Sequence, residues 1–499
     1  MINILEYLEN SAEKYPDKIA VEEQSLVITY ADFLKSCKSV GSELARNAVN
    51  KEPIAVYMEK GIDALCAFFG GVYAGAFYSH ISPELPPARI KQMQSVLGAG
   101  TVITSAELYS KAEELFPGAA VYRIDALKNS QIDNSLLSEI REKSIDVDPL
   151  YLNFTSGTTG VPKGIVVSHR SVIDFIHYFT DIFQIRENDV LANQAPFDFD
   201  VSVKDIYSAI STGAKLVIVP RELFSIPQKL IDYLCEKGIT TMIWAVSALC
   251  LISAFHGLEY RVPETVKKVL FSGETMPYKH LQNWKKHLPE AQFVNLYGPT
   301  EITCNCTYHI LDADRDYENG IPIGKPFPNE DVFLLNENDE RITQPGVTGE
   351  IVVRGTALAL GYYYQRDENE KRFTENPLNP AFHDTIYRTG DSGCYNPEHE
   401  LMFCGRKDHQ IKHMGHRIEL DEIEKGISAI HGVERCACIF DKEKSRLKGF
   451  YVGTIDKTAL IAELKKNLPV FMIPGYIRKL EMLPLNKNGK IDRNALSAL

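Results

Sequence analysis

Residues 154–164, FTSGTTGVPKG, place three glycines, three threonines, one serine and one lysine in eleven positions, directly after the apolar run PLYLN. Two readings stand side by side. Gly/Ser/Thr clusters are the usual composition of a surface loop. The same residues also make an anion cradle. Glycine lets backbone N–H groups come close, Thr155, Ser156, Thr158 and Thr159 add hydroxyl donors, and Lys163 adds a point charge. The stretch is not a Walker A loop, which requires G-x-x-x-x-G-K-[ST]; here Gly164 occupies the Ser/Thr position.

Five other stretches carry residues able to do chemistry: FDFDVSVKDIYSAI (197–210), NLYGPTE (295–301), YRTGD (387–391), GRKDHQIKHMGHRIELDEIE (405–424) and PLNKNGKIDR (484–493). Each has a plain structural reading when taken singly. Asp391 can cap a loop, Tyr297 can be a core aromatic, Lys490 a solvated charge, and Asp408 a helix cap. Asp200 and Lys204, at i and i+4, can simply pair, a contact worth about 0.3–0.5 kcal/mol. His413 and His416 lack further nearby ligands and read as solvated loop residues rather than a metal site. Cys304 and Cys306 form C-N-C, not the C-x-x-C of a zinc or redox site, and read as buried thiols.

The elements that must position these residues alternate. ADFLKSCKSVGSELARN has a helical pattern, EPIAVYME a strand pattern, IDALCAFFGGVYAG a helix and GTVITS a strand. TGAKLVIVP, TMIWAV, KKVLFSG and QFVNLYGP then read as buried strands, each leading into a helix or loop. That order implies α/β layers on mostly parallel sheets. DVFLLNEN and GEIVVRG begin a β-richer piece, and the last ninety or so residues carry their own strand–helix alternation, the mark of a separate small α/β domain.

The chain of 499 residues exceeds one ordinary core. Its net charge of −12 argues against non-specific binding to nucleic acid or an anionic membrane. The N-terminus carries acidic residues where a signal peptide needs a basic and then an apolar run. The most apolar stretch, Ala64 to Tyr78, is shorter than the ~20 residues of a membrane span and reads as a helix running into a strand. Ten scattered cysteines fit reduced thiols, so a soluble, cytoplasmic protein is expected, with no membrane insertion and no nucleic-acid partner.

In their order and separation the five motifs outside 197–210 resemble those of the adenylate-forming superfamily. Within it the chain looks like amino-acid-activating enzymes: peptide-synthetase adenylation domains and D-alanine–carrier protein ligases. The resemblance covers essentially the whole chain. It implies an adenylation core over 1–404 of layered α/β sheets with a β-rich subdomain, a hinge at 405–408 around Asp408, and a small mobile α/β domain over 409–499. It also implies two half-reactions. A carboxylate attacks the α-phosphorus of ATP, giving an acyl-adenylate and pyrophosphate, and a thiol then takes the acyl group.

Carried over residue by residue, the phosphate loop is Thr155, Ser156, Gly157, Thr158, Thr159, Gly160 and Lys163. Gly273 and Glu274 fall on the adenine side, with Asn295, Leu296, Tyr297, Gly298, Pro299 and Thr300, where Tyr297 offers adenine a flat face. Glu301 would hold Mg²⁺, Asp391 the ribose hydroxyls, with Phe403 and Arg406 on the ribose side. Lys490 would bridge the substrate carboxylate and the phosphate. It would leave during thiol transfer, when the HMGH loop with Gly415 lines the thiol's path. Thr155, Glu301 and Lys490 are the expected catalytic residues.

The implied amino-acid pocket is Asp200, Val201, Lys204, Trp244, Leu270, Ser272, Leu296, Cys304, Asn305 and Lys490. Asp200 would bind the substrate ammonium, because a carboxylate in an apolar setting needs a cation. Trp244 is expected to make the pocket short, which puts D-alanine or serine first, with glycine or β-alanine next. Ser272, Asn305 and Lys204 depart from the D-alanine-ligase pattern, and the polarity of Lys204 and Asn305 keeps aspartate in play. YSHISP departs too, where relatives more often carry Val-Pro or Ile-Pro after the tyrosine. The sequence given stops nine residues after Lys490 with no carrier-type Gly-Gly-x-Ser segment, so a separate phosphopantetheinylated carrier protein is the expected thiol donor. An acyl-CoA or aryl-acid ligase of the same fold is the alternative that Asp200 disfavours. A nucleotide-binding regulatory paralogue without turnover is the one that Lys490, Glu301 and Asp391 disfavour.

Overall fold

The computed structural model describes residues 1–47, 49, 51–157, 160–406, 410–441, 444–484, 491–497 and 499. Its contacts divide the chain into two units: Met1–Ser82 with Ala99–Asn153 and Ile165–Lys407, and Pro83–Gly98 with Phe154–Gly164 and Asp408–Leu499. The second unit therefore takes in two segments, one of them the Gly/Thr loop, that lie far from the C-terminus in sequence.

The first unit is built on a nine-stranded sheet, a seven-stranded sheet and a smaller antiparallel sheet. In the nine-stranded sheet β1 (Thr241–Ala245), β2 (Lys268–Ser272) and β3 (Gln292–Tyr297) run parallel, and antiparallel strands close the edge beyond β3. Every residue of β1 is buried, as expected of a central strand covered on both faces. Residues alternate between two cores. Ile243, Leu270, Val294 and Leu296 join one cluster with the buried helix α1 (Val201–Thr212), whereas Trp244, Phe271 and Phe293 join another with helices Pro227–Glu236 and Tyr278–His287. The seven-stranded sheet contributes Ile54, Val56 and Ile165 to the first of these clusters. The apolar Ala64–Tyr78 stretch forms helix Ile62–Tyr73 and then strand Phe77–Ile81, as its pattern predicts.

The β-rich piece forms the third sheet, in which β4 (Thr385–Tyr395) pairs antiparallel with β5 (Leu401–Arg406). In the second unit, helix Leu420–Ser428 and helix Lys457–Asn467 pack with a three-stranded sheet around Ile423, Leu447, Tyr451 and Leu464. HMGH differs from the expected solvated loop. Gln410–His413 and His416–Glu419 are paired strands, joined through Met414 at φ 53° and Gly415 at φ 81°. Two successive positive φ values make a type I′ hairpin turn. His416 stacks flat on Phe471 with ring centroids 3.7 Å apart, so an aromatic contact claims this histidine.

Candidate active site

β3 ends at Tyr297, and the chain turns through Gly298 and Pro299 into a short 3-10 turn, Thr300–Ile302. A Cβ on Gly298 would lie 2.5 Å from the Asn305 Cα and 2.7 Å from the Cys304 carbonyl oxygen, so only glycine admits the returning chain. Thr303 and Cys304 then adopt φ of 52° and 78°, a left-handed conformation that is costly for a β-branched residue. Two bonds hold it: Thr303 Oγ1 donates to the Ala357 carbonyl at 2.7 Å, and Cys304 Sγ donates to the Asp200 carbonyl at 2.8 Å. This strained corner brings Glu301, Cys304 and Asn305 into one place.

Glu301 is 1% exposed, and its Oε1 accepts from the Tyr362 hydroxyl at 2.6 Å. Asp391 on β4 accepts the Tyr297 hydroxyl at 2.6 Å on one oxygen and Arg406 of β5, its register partner, on the other. Burial and the Asp391 carboxylate hold the Tyr297 phenol well above its ordinary pKa. The Phe403 ring lies 6.1 Å from that of Tyr297, and Asn295 Nδ2 donates to the Pro322 carbonyl at 2.9 Å. Gly273 leaves β2 with φ 98°, followed by the half-buried Glu274. Tyr297, Asp391, Phe403 and Arg406 thus form one cluster, with an aromatic surface beside a carboxylate bonded to a guanidinium.

Asp200 stands at the N-cap of α1 and is 7% exposed, yet its side chain makes no capping bond to that helix. The capping role that most often explains an aspartate there is absent. One turn on, Lys204 is fully buried, and its Nζ donates to Asn305 Oδ1 at 2.8 Å and Ser272 Oγ at 3.1 Å. Leu270, Leu296 and Cys304 belong to the apolar cluster around them, and Val201 is buried beside Asp200 in sequence.

Trp244 does not join them. It pairs with Phe271 rather than Ser272, its indole N–H donates to the Ala192 carbonyl at 2.8 Å, and its ring lies 5.5 Å from that of Phe224. Paired residues share a face and neighbours alternate, so Trp244 faces the opposite core, and Ala245, the partner of Ser272, takes the pocket side. The expectation that Trp244 shortens the pocket is corrected accordingly.

In the second unit, Thr155 ends strand Pro149–Thr155, and the Gly/Thr loop follows. Ser156 is buried, and its hydroxyl donates to the Arg417 carbonyl at 2.7 Å. A Cβ on Gly157 would meet the Val161 carbonyl oxygen at 2.1 Å, and Gly160 has φ 84°. The Gly157 N–H bonds the Glu422 carboxylate, which also accepts from the buried Arg89. A loop amide on a carboxylate is the behaviour of an anion cradle. Lys163 opens strand Lys163–Ser168. Thr158, Thr159, Asp408 and Lys490 lie outside the described residues.

Sequence reasoning missed Tyr362, which reaches Glu301 across 61 positions and sits in no local motif. It also missed a buried polar chain behind Lys204. Asp205 Oδ2 accepts from Asn193 Nδ2 at 3.0 Å, and Asn193 Oδ1 accepts from Lys60 Nζ at 3.2 Å.

With this geometry in place, the comparisons with known proteins decide the family. Residues 8–363 match the model of the AMP-binding enzyme family. The chain belongs to the AMP-binding enzymes. It is an AMP-forming ligase, and ATP is the nucleotide its family implies. Surfactin synthase subunit 3 of Bacillus subtilis is 29% identical over 489 residues, 96% of this chain but 37% of that relative. The chain spans well under half the length of that protein, and as little as 6% of other curated relatives. Among solved structures, the Vibrio cholerae adenylation domain AlmE, in complex with glycyl-adenosine-5'-phosphate, is similar with a TM-score of 0.86 and 20% identity, covering 99% of this chain and 97% of that one. An artificially fused adenylation–PCP di-domain from Klebsiella oxytoca gives 0.83 and 21%, over 95% and 93%. At these identities the two structures establish the fold. Among the described residues of the enzyme, no helix is long and apolar enough to cross a membrane.

Proposed function

We propose that the enzyme activates an amino acid as its aminoacyl-adenylate and then passes it to the phosphopantetheine thiol of a carrier protein. The observation that carries this reading is Asp200, a nearly buried carboxylate that does no capping and sits one turn from the polar group of Lys204, Ser272 and Asn305. Such a carboxylate is expensive unless it meets a cation, and the α-ammonium of an amino acid supplies one. The glycyl-adenosine-5'-phosphate held by the similar adenylation domain AlmE supports an amino acid over a fatty or aryl acid.

Tyr297 and Phe403 would flank adenine, and Asp391, bonded to Arg406, would accept hydrogen bonds from the ribose hydroxyls. The substrate carboxylate attacks the α-phosphorus and pyrophosphate leaves, while backbone donors of the Gly/Thr loop and Lys490 bear the developing charge. Glu301 fits a Mg²⁺ ligand, since Mg²⁺ on a nucleotide takes one or two carboxylates plus phosphates, and among the described residues no cluster of three His, Cys, Asp or Glu competes for it. Bound there with ATP, the ion would neutralise triphosphate charge. Tyr362 positions the Glu301 carboxylate for that contact.

A short-side-chain substrate, D-alanine or serine first, rested partly on Trp244. With that ring on the other face, the Ser272 hydroxyl remains as its polar support and favours serine over alanine. Amino-acid-dependent exchange of labelled pyrophosphate into ATP tests the proposal. Asp200→Ala should abolish exchange with amino acids while ATP binding persists. Exchange driven by fatty or aryl acids alone would replace this reading with that of an acyl-CoA or aryl-acid ligase.

A further inference from the structure

β4 and β5 pair in register from Asp391 with Arg406 to Ser392 with Gly405, slip by one residue, and resume from Gly393 with Phe403 to Tyr395 with Leu401. The slip leaves Cys404 as an extra residue of β5 with no partner on β4, a β-bulge, and Gly405 after it takes φ 119°. The bulge sets Cys404 beside Cys394, whose pairing partner is Met402, with the two sulfurs 3.1 Å apart. That gap exceeds the sulfur–sulfur bond of a disulfide by only about 1 Å. Among the ten cysteines Cys404 alone is exposed, and Cys394 is half-buried. The neighbours of Cys404 belong to the site: the Phe403 ring lies beside Tyr297, and Arg406 bonds Asp391. We propose that Cys394 and Cys404 are a modification site, which a hydroperoxide oxidises to a cross-strand disulfide that weakens ATP binding and which a dithiol restores.

The chemistry balances with the hydroperoxide as the sole co-reactant. The ionised Cys404 sulfur attacks one peroxide oxygen. An S–O bond forms, the O–O bond breaks, and the other oxygen leaves, taking up the proton that Cys404 released. The Cys394 sulfur then attacks the Cys404 sulfur. An S–S bond forms, the S–O bond breaks, and hydroxide leaves as water with the Cys394 proton, so two electrons pass from the thiols to the peroxide. Exposure assigns the first attack to Cys404 and the resolving role to Cys394. Partial burial and the Cys394 thiol push the Cys404 thiol up to about 11, which makes the first step slow at neutral pH. Proximity favours the second, because the sulfurs are already in contact. The pair thereby diverts Cys404 from sulfinic acid into a reducible bond. Cys37 and Cys66, also thiol neighbours, are fully buried and out of a peroxide's reach. Bond formation stands on the thiol geometry alone. Its effect rests on the nucleotide reading: drawing the sulfurs together moves the bulge between Phe403 and Arg406, residues which that reading sets against ATP.

The test takes the intact chain, fully reduced, and treats it with hydrogen peroxide. Trypsin leaves both cysteines in one peptide, residues 389–406, and cleavage after Glu398 or Glu400 separates them. The expected product is that peptide lighter by two hydrogen atoms, resistant to alkylation, and still joined after cleavage at glutamate. Calorimetric ATP binding should weaken ~10-fold or more, the scale on which displacements of an ångström act in a site, and recover with dithiothreitol. Cys404→Ser should bind ATP as the reduced wild type does and lose nothing to peroxide. Cys394→Ser should stop at a Cys404 sulfenic acid that dimedone traps. No cross-link in the wild type, whether the thiols stay free or Cys404 goes on to sulfinic acid, overturns the inference. So does a cross-link that leaves ATP binding unchanged. A reduced wild type that binds no ATP overturns the nucleotide reading, and the effect assigned to the disulfide falls with it.

Discussion

A buried carboxylate is tolerated only where donors meet it, and Glu301 and Asp391 each meet theirs on a different strand. Tyr362 donates to Glu301 through one hydroxyl at 2.6 Å, an interaction that Phe cannot make. Tyr362→Phe should cost the bond to a charged group, about 1.5–3 kcal/mol, read as a ~10-fold or larger rise in the KM for magnesium–ATP with the amino-acid KM little changed. Unchanged KM values would mean that Tyr362 only fills space. Trp244 belongs to packing. Trp244→Ala should lower stability by about 3–5 kcal/mol in denaturant titration and leave the order of substrate preference as in wild type. A shift toward longer side chains would place the indole in the pocket after all.

At the scale of elements, the strand Glu330–Leu335 positions the segment that supports Glu301. Glu330 Oε1 accepts from the Ala357 N–H at 2.8 Å, its Oε2 is shielded without a partner among the described residues, and Ala359 N–H donates to the Glu301 carbonyl at 2.8 Å. Burial raises the Glu330 pKa to about 8. The folded chain thus keeps a proton that the unfolded chain loses near pH 4. Its contribution to stability is fully present below that pH and is lost as pH rises through about 8. Glu330→Gln, which keeps the neutral form's shape, should flatten the fall of the denaturation midpoint between pH 5 and pH 9; an unchanged slope would assign that fall to other groups.

The elements themselves were legible because apolar runs such as TMIWAV and KKVLFSG have strand length and end in turn residues. Glu301, Asp391 and Asp200 were legible because their motifs are local. The face that Trp244 takes was not, since a shift of one residue along a strand inverts every side chain, and parity is set by pairing with β2. Nor were Tyr362 on Glu301 and Glu422 on Arg89, which join residues 61 and 333 positions apart through tertiary packing alone. His413 and His416 read as loop residues because nothing local announces a two-residue type I′ turn built on Met-Gly.

For the whole molecule, the proposal assigns different half-reactions to different residues. Lys490→Ala should slow adenylate formation by ~10²–10³, the scale of removing one charge-stabilising donor, while transfer from pre-formed adenylate to the carrier thiol stays near the wild-type rate. Equal losses in both steps would contradict a division of labour about Asp408. The central claim is that a carboxylate at Asp200 makes this AMP-binding enzyme an activator of amino acids. Its most direct test is pyrophosphate exchange into ATP by the purified chain, with each amino acid set against a panel of fatty and aryl acids. The account predicts exchange that depends on an amino acid and is lost in Asp200→Ala. Exchange supported equally by acids that lack an ammonium group, or retained in Asp200→Ala, would contradict it.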